Sequence, residues 1–170
     1  MNKELIILGL IEIVSALTIG IFLLALTFKI VQWVGRKYYG IENYNLAYSI
    51  FTATIMISVG LMASSVIQPL ISSFRLLDMQ HNNFMLALRF LGTGAIYISI
   101  AYSVAILIGL VSTFLYSKLT PINEFEEIRE NNVGVALMIS SIIITLTLLA
   151  KSGVELLIEA IIPYPAGPPI

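Results

Sequence analysis

The sequence of 170 residues contains no cysteine, a single histidine and few charged side chains. The absence of cysteine excludes a disulfide framework, thiol chemistry and cysteine-ligated zinc, and it leaves the redox compartment unassigned. Charged residues make up 11% of the chain, whereas soluble domains normally carry about a quarter. The net charge of -1 leaves no basic surface for nucleic acid. These shortages argue against a soluble domain and against a nucleic-acid partner.

Recognisable enzyme motifs are missing as well. The chain has no glycine-rich phosphate loop, no GxSxG elbow and no HExxH pair, and His81 stands alone. A single histidine in a polar loop is typical of a surface residue. We therefore predict that the protein is not an enzyme and has no catalytic residue, no metal site and no cofactor.

Long apolar runs dominate what is present, and hydrophobic residues make up 58% of the chain. A bilayer core about 30 Å thick is crossed by roughly 20 apolar residues in a helix, because lipid cannot satisfy free backbone groups. Four runs meet this requirement, at about 5–34, 46–71, 84–116 and 133–162. The first run is longer than a signal-peptide core and lacks a cleavage pattern, so we expect it to remain as a span. The sequence predicts an all-α integral membrane protein with four transmembrane helices.

An internal repeat relates the two halves when the chain is shifted by about 87 residues, which places Asn45 over Asn132 without a gap in the helices that follow. Since this shift moves the register by two spans, both copies would have the same orientation. We predict a single membrane domain, 1–170, built from two parallel two-helix repeats at about 5–71 and 84–162. An extended proline-rich tail follows at 163–170. Parallel repeats differ from the inverted repeats of many carriers.

The second half of the chain resembles a known family. The segment LTPINEFEEI, which begins at Leu119, is followed by an apolar span with spaced glycine and alanine. This pattern is similar to the bacterial YjfL-like small inner-membrane proteins, a domain of unknown function (number three-fifty) that occurs as tandem two-helix repeats. The resemblance implies a bacterial inner-membrane location and no established activity. Since some members are associated with phage-shock-type membrane-remodelling proteins, it also implies a role in envelope maintenance.

The resemblance is clearest over about 115–157, and a weaker copy covers about 28–70. Where the second copy has Thr120-Pro121 and the glutamates, the first has Trp33-Val34 and Lys37. Any role of the acidic motif therefore belongs to one loop only.

The acidic segment between the third and fourth spans predicts a short amphipathic helix. Pro121 suits its entrance, and Asn123 would cap it together with Glu126. Apolar residues recur on one side, whereas Glu124 and Glu127 would face away. This acidic face is either a docking surface for a cytosolic partner or a solvated face without one, and its carboxylates do not converge as a metal site requires. The docking candidates are Glu124, Glu126, Glu127 and Glu130.

Ionisable residues inside the spans are a sharper signal, because a charge at bilayer depth is costly. Glu12 shares a helix face with Ala16 and Gly20, so we expect it to face another helix. Lys151 lies at a matching depth, about 25 Å from the same membrane face, which makes an ion pair with Glu12 feasible. The alternative is that both side chains reach water at the opposite interface. The polar candidates are Glu12, Lys151, Glu155 and Gln68.

A stripe of small residues, Ala101, Ala105 and Gly109, runs along the third span at four-residue spacing. Small residues let helix backbones approach closely, so the stripe predicts packing either within the chain or between subunits. Four spans without a soluble domain leave few places for a substrate pocket. We therefore expect a homo-oligomer in the lipid bilayer.

Two functions remain open from the sequence. One is an oligomeric scaffold or accessory subunit that recruits a membrane or cytosolic protein partner. The other is a homo-oligomeric ion or proton channel whose path includes Glu12, Lys151 and Glu155. The first loop is basic and aromatic, with Arg36 and Lys37, which is typical of anchoring at headgroup level. Basic residues are divided five to four between the two sides, a weak bias that places the first and third loops in the cytoplasm.

Overall fold

The computed structural model describes residues 3–41, 45–70, 72, 83–120 and 123–162, without the side chains of 3–12, 15 and 83–91. The helices of the described ranges are α1 (Lys3–Tyr39), α2 (Leu46–Ser64), α3 (Asn83–Leu119), α4 (Glu124–Arg129) and α5 (Val133–Glu159). The segments Ala16–Tyr39, Leu46–Leu70, Gly92–Leu119 and Val133–Glu159 are each long and apolar enough to cross a membrane. The predicted all-α class with four transmembrane helices is therefore confirmed. His81, Pro121 and the tail at 163–170 lie outside the described residues.

α1 continues past the predicted end of the first span as far as Tyr39. Arg36 and Lys37 consequently lie in the last turn of a helix, and the prediction that they belong to a loop is wrong. The helix ends at Gly40, whose φ of 62° favours glycine, and the N–H of Ile41 then donates to the carbonyl of Gly35 at 3.0 Å. The terminating signal in the sequence is Gly40, because the basic and aromatic residues before it are compatible with a helix.

α2 is interrupted near its far end. The helix stops at Ser64, and a further helical turn follows over 67–70. Pro69 accounts for the break, because its ring clashes with the carbonyl four residues earlier, at Ser65. The hydroxyls of Ser64 and Ser65 each donate to the carbonyl three residues earlier, at 2.7 and 2.6 Å. These bonds satisfy backbone groups at a depth where lipid offers no donor.

α2 is the central helix of the bundle and packs against α1, α3 and α5. α3 and α5 also contact each other, so α2, α3 and α5 form a three-helix core with α1 attached to its outside. The short helix α4 contacts all four of the others at one end of the bundle, which we call the α4 face. α1 and α3 end at this face, and α2 and α5 begin there. The α4 face therefore collects the two connections, after α1 and after α3, that the sequence placed on one side of the membrane.

Candidate functional site: an apolar crevice closed by the acidic helix

α1 and α3 leave between them an apolar crevice of about 220 Å³, which we call the α1–α3 crevice. Val34 on α1 and Gly109 on α3 belong to its two walls, and Phe51 on α2 belongs to its floor. These three residues lie in segments that are apolar enough to cross the membrane. The crevice is consequently at bilayer depth, where hydrocarbon and not water is the surrounding medium.

Aromatic side chains close the crevice at the α4 face. The rings of Tyr39 and Phe125 are stacked, with centroids 3.7 Å apart and planes inclined by 15°. Phe51 meets Phe125 edge to face, at a centroid distance of 6.0 Å. Such pairs stabilise a contact beyond the area that they bury. Phe125 thus fixes the apolar side of α4 onto both α1 and α2.

One hydrogen bond fixes α1 to the floor of the crevice. The hydroxyl of Tyr48 on α2 donates to the backbone carbonyl of Val31 on α1 at 3.0 Å. Gly35, one turn further along α1, leaves the space for this hydroxyl, because a Cβ at that position would lie 2.5 Å from the Tyr48 oxygen. The two helices therefore approach closely where Tyr48 bonds to Val31.

A second polar contact crosses the crevice itself. The hydroxyl of Thr27 on α1 donates to the carbonyl of Leu23 at 2.7 Å. It also lies 3.5 Å from the hydroxyl of Tyr102 on α3, at the limit of hydrogen-bonding distance. A bond of this length is weak, so α1 and α3 are held together far less firmly than α1 and α2.

Asparagine side chains join the start of α2 to the end of α4. Asn45 is the N-cap of α2, and its Oδ1 accepts the N–H of the third helical residue at 2.7 Å. Its Nδ2 donates to the carbonyls of Ile128 and Arg129 at 2.7 and 3.0 Å. Asn131, with a φ of 66°, accepts the N–H of Ala47 at 3.0 Å. Three asparagine groups therefore satisfy backbone groups of two helices that are distant in sequence.

Asn132 plays the same part for α5 that Asn45 plays for α2. Its Oδ1 accepts the N–H of Val135, the third residue of α5, at 3.2 Å, and its Nδ2 donates to Glu127 at 2.7 Å. The shift of the predicted repeat places these two asparagines over each other. Their equal roles are what a repeat requires, although the duplication itself stays a prediction.

Hydroxyl pairs hold α2 against α5. Thr54 bonds to Ser140 at 2.9 Å, and Ser58 bonds to Thr147 at 2.6 Å, both in buried positions. Since the partner numbers rise together, α2 and α5 run in the same direction. These pairs were not predicted from the sequence. Their signal is a hydroxyl residue repeated after four or seven positions on an otherwise apolar helix, which places both hydroxyls on one helix face.

The acidic segment forms the predicted helix, α4, but two details of the prediction are wrong. Asn123 is the N-cap and makes no side-chain capping bond, so the expected capping box with Glu126 does not form. Glu124 is only 5% exposed and does not face water, because its helix is short and is covered by the four long helices.

The remaining docking candidates divide by exposure. Glu126 forms an ion pair with Arg129, and both side chains are about half exposed. Glu127 is partly buried and is bonded to Asn132, whereas Glu130 is exposed. The carboxylates of Glu126 on α4 and of Glu130 just after it are therefore accessible to a partner.

The polar candidates inside the spans are not brought together by any described contact. Lys151 and Glu155 lie on α5 and are partly buried, and Gln68 is exposed. Among the described side chains, neither Lys151 nor Glu155 forms an ion pair. Glu12 lies on α1, but its side chain is outside the described residues. The pairing of Glu12 with Lys151 consequently stays a prediction.

The small-residue stripe of α3 has two different environments. Ala101 and Ala105 are 1% and 4% exposed and belong to the core formed by α2, α3 and α5. A Cβ at Gly109 would have no atom within 4 Å, because this glycine lines the crevice. The predicted close contact at Gly109 is therefore wrong within the chain, and a contact between subunits stays a prediction. Over the described residues, no group of three or more His, Cys, Asp or Glu side chains is placed to hold a metal ion.

The comparisons with known proteins agree with the resemblance at a coarse level. Residues 85–162 match the model of a protein family described as Domain of Unknown Function (DUF350). The matched range covers most of α3, all of α4 and α5, and thus the predicted second repeat. No curated protein and no solved structure matches the chain. The second half of this four-span membrane protein is thus similar to the DUF350 family, whose function is unknown.

Proposed function

We propose that the protein is a non-enzymatic scaffold or accessory subunit of the bacterial inner membrane, of the YjfL-like type, which assembles with copies of itself and contributes to envelope maintenance. The observation that carries this proposal is the use of the buried hydroxyls. Thr54, Ser58, Ser140 and Thr147 join α2 to α5, and the α1–α3 crevice is apolar. These four hydroxyl side chains inside the bundle thus hold helices together.

The outer face of α1 is the surface that we assign to self-association. α1 packs mainly on α2, and large apolar side chains cover the rest of its span. Ile21 and Phe22 on α1 are 68% and 65% exposed, whereas Leu23 on the same helix packs in the core and is 4% exposed. At the α4 face, the accessible carboxylates Glu126 and Glu130 would receive a protein partner. Both surfaces lie on the outside of the bundle.

Cross-linking in native membranes tests the assembly, and the cysteine-free chain makes this simple. We expect Ile21→Cys to give a disulfide-linked dimer on mild oxidation, whereas Leu23→Cys, whose position is buried, gives none. Counting of labelled subunits in the bilayer provides an independent measurement. A protein that is monomeric by counting and does not cross-link through Ile21→Cys contradicts the proposal.

A channel formed between copies is the second candidate, and one observation favours it. Lys151 and Glu155 are partly buried, lie one turn apart on α5 and form no ion pair among the described side chains. Ionisable groups at such depth commonly face a water-filled path. Proton or cation flux into liposomes, lost on Glu155→Gln and on Lys151→Met while the variants remain folded, would replace the scaffold with a channel. Absence of flux in the unmodified protein favours the scaffold.

A further inference from the structure

Two cations lie in the last turn of α1 without a carboxylate partner among the described side chains. Arg36 and Lys37 are both exposed, and the described ion pair of the bundle joins other residues. The Lys37 ammonium lies 4.7 Å from the ring centroid of Trp33 and 5.4 Å from that of Tyr38. Aromatic rings of this kind mark the headgroup level of a bilayer. The end of α1 therefore carries positive charge where lipid phosphates lie.

Lys37 lies on the crevice side of α1, whereas Arg36, two residues after Val34, lies on the opposite side of the helix. Val34 lines the crevice, and Lys37 follows it by three residues, which is one turn further along the same side of α1. The Cα of Lys37 therefore lies about 4.5 Å closer to the α4 face than the Cα of Val34. Since Tyr39 and Phe125 close the crevice at this end, an acyl chain would enter from the lipid side, between α1 and α3, with its headgroup beside Lys37.

The crevice needs an apolar occupant. Its walls are almost entirely hydrocarbon, so water filling the crevice would find few partners. An empty crevice would forfeit dispersion contacts along its walls. At bilayer depth, the molecule that supplies both an apolar chain and a phosphate one turn above it is a phospholipid.

We infer that the α1–α3 crevice binds an acyl chain of an anionic phospholipid, whose phosphate is held by Lys37. Zwitterionic lipids share the acyl chain but lack the net negative charge. Each basic residue near an anionic headgroup contributes about fivefold in affinity. The preference for anionic lipid over zwitterionic lipid should therefore come mainly from the side chain of Lys37.

The single tryptophan, Trp33, is a built-in reporter, because it lies next to Lys37. The full chain is placed in phosphatidylcholine vesicles that contain increasing fractions of dibrominated phosphatidylglycerol or dibrominated phosphatidylcholine. Bromine quenches tryptophan fluorescence, so each titration reports the lipid that occupies this surface. We expect phosphatidylglycerol to be preferred at least fivefold. Equal quenching by the two brominated lipids overturns the proposal.

Charge variants locate the phosphate. Lys37→Gln should lower the preference several-fold, with fluorescence normalised to the unquenched variant, whereas Arg36→Gln, on the opposite side of the same turn, should leave it unchanged. Lys118→Gln is the matched control, because Lys118 lies in the last turn of α3 over the ring of Phe114 and is also exposed. An equal loss on Lys118→Gln shows nonspecific surface attraction and overturns the site. Glycerol phosphate in solution should not restore fluorescence, and restoration would mean a site for free phosphate instead.

Glycine variants locate the acyl chain. Gly109→Leu fills part of the crevice, and its Cβ meets no atom within 4 Å. Gly60→Leu is the matched control, since Gly60 has the same open surroundings on an exposed side of α2. We expect at least a threefold loss of preference for Gly109→Leu and none for Gly60→Leu. Equal behaviour of the two variants overturns the crevice as the binding site, and the charge variants decide the question if Gly109→Leu does not fold.

Discussion

The hydroxyl of Tyr48 donates a hydrogen bond to the backbone carbonyl of Val31, across the interface of α2 and α1. This carbonyl lies inside a transmembrane helix, so the bond adds to a backbone that the helix already satisfies. The bond fixes the rotation and the height of α1 on the floor of the crevice. Across the crevice, by contrast, α1 meets α3 through the long approach of Thr27 and Tyr102.

Replacing Gly35 by alanine should destabilise the protein by about 1 to 3 kcal/mol, which is the usual cost of overpacking. The added Cβ would lie 2.5 Å from the Tyr48 hydroxyl and would displace it. Thermal unfolding in detergent measures the loss. Gly20→Ala on the same helix is the control, because a Cβ there meets nothing within 4 Å. Equal stabilities of the two variants would mean that α1 is not fixed at this point.

Asn45→Ala should cost about 2 kcal/mol, because it removes a helix cap and the amide donor to the carbonyls of Ile128 and Arg129. Asn123→Ala provides a matched comparison, since Asn123 is also an N-cap but makes no side-chain bond. Chemical unfolding of both variants should show a loss for Asn45 alone. A loss of similar size at Asn123 would contradict the assigned roles of the two asparagines.

The same substitution should have opposite effects at two positions of α2. Thr54→Val removes the bond to Ser140 and should lower the free energy of unfolding by about 0.6 kcal/mol. Thr52 is buried, and its hydroxyl has no hydrogen-bond partner in the described part of the chain. Thr52→Val should therefore raise the free energy of unfolding by about 1 kcal/mol. Two changes of the same sign in a thermal melt would refute this assignment.

The pair of Glu12 and Lys151 is best tested by a double-mutant cycle. If the two charges meet inside the assembled protein, Glu12→Gln and Lys151→Met should each be destabilising, and the double variant should recover much of the loss. We expect a coupling free energy above about 0.5 kcal/mol. Additive effects would indicate that each side chain reaches water independently.

The fold could be predicted from the sequence to the extent that it depends on local pattern. The four spans follow from the length of the apolar runs, and α4 follows from its amphipathic spacing. The end of α1 was missed, although the signal, Gly40, is local. The break before Pro69 has a local cause as well. The residues within one helical turn of each helix end or break are enough to predict these features.

The candidate site could not be predicted in the same way, because it depends on contacts between distant segments. Glu124 follows the spacing of an exposed residue, yet it is buried by helices that the spacing does not include. Gly109 follows the spacing of a close packing contact, yet it lines a crevice, since α1 and α3 do not meet there. Helical spacing shows which residues share one face of a helix, but it does not show what that face packs against.

The bond between Asn45 and the carbonyl of Ile128 joins groups 83 residues apart. Ribosomes add about 5 to 20 residues per second, so about 4 to 17 seconds separate the synthesis of the two partners. Once α2 has been synthesised, Asn45 can cap it, but its Nδ2 still lacks the carbonyls of α4. The connection between the first helix pair and α4 can therefore form only after the end of α4 is translated. Truncated nascent chains that stop before this point should remain accessible to membrane quality-control proteases.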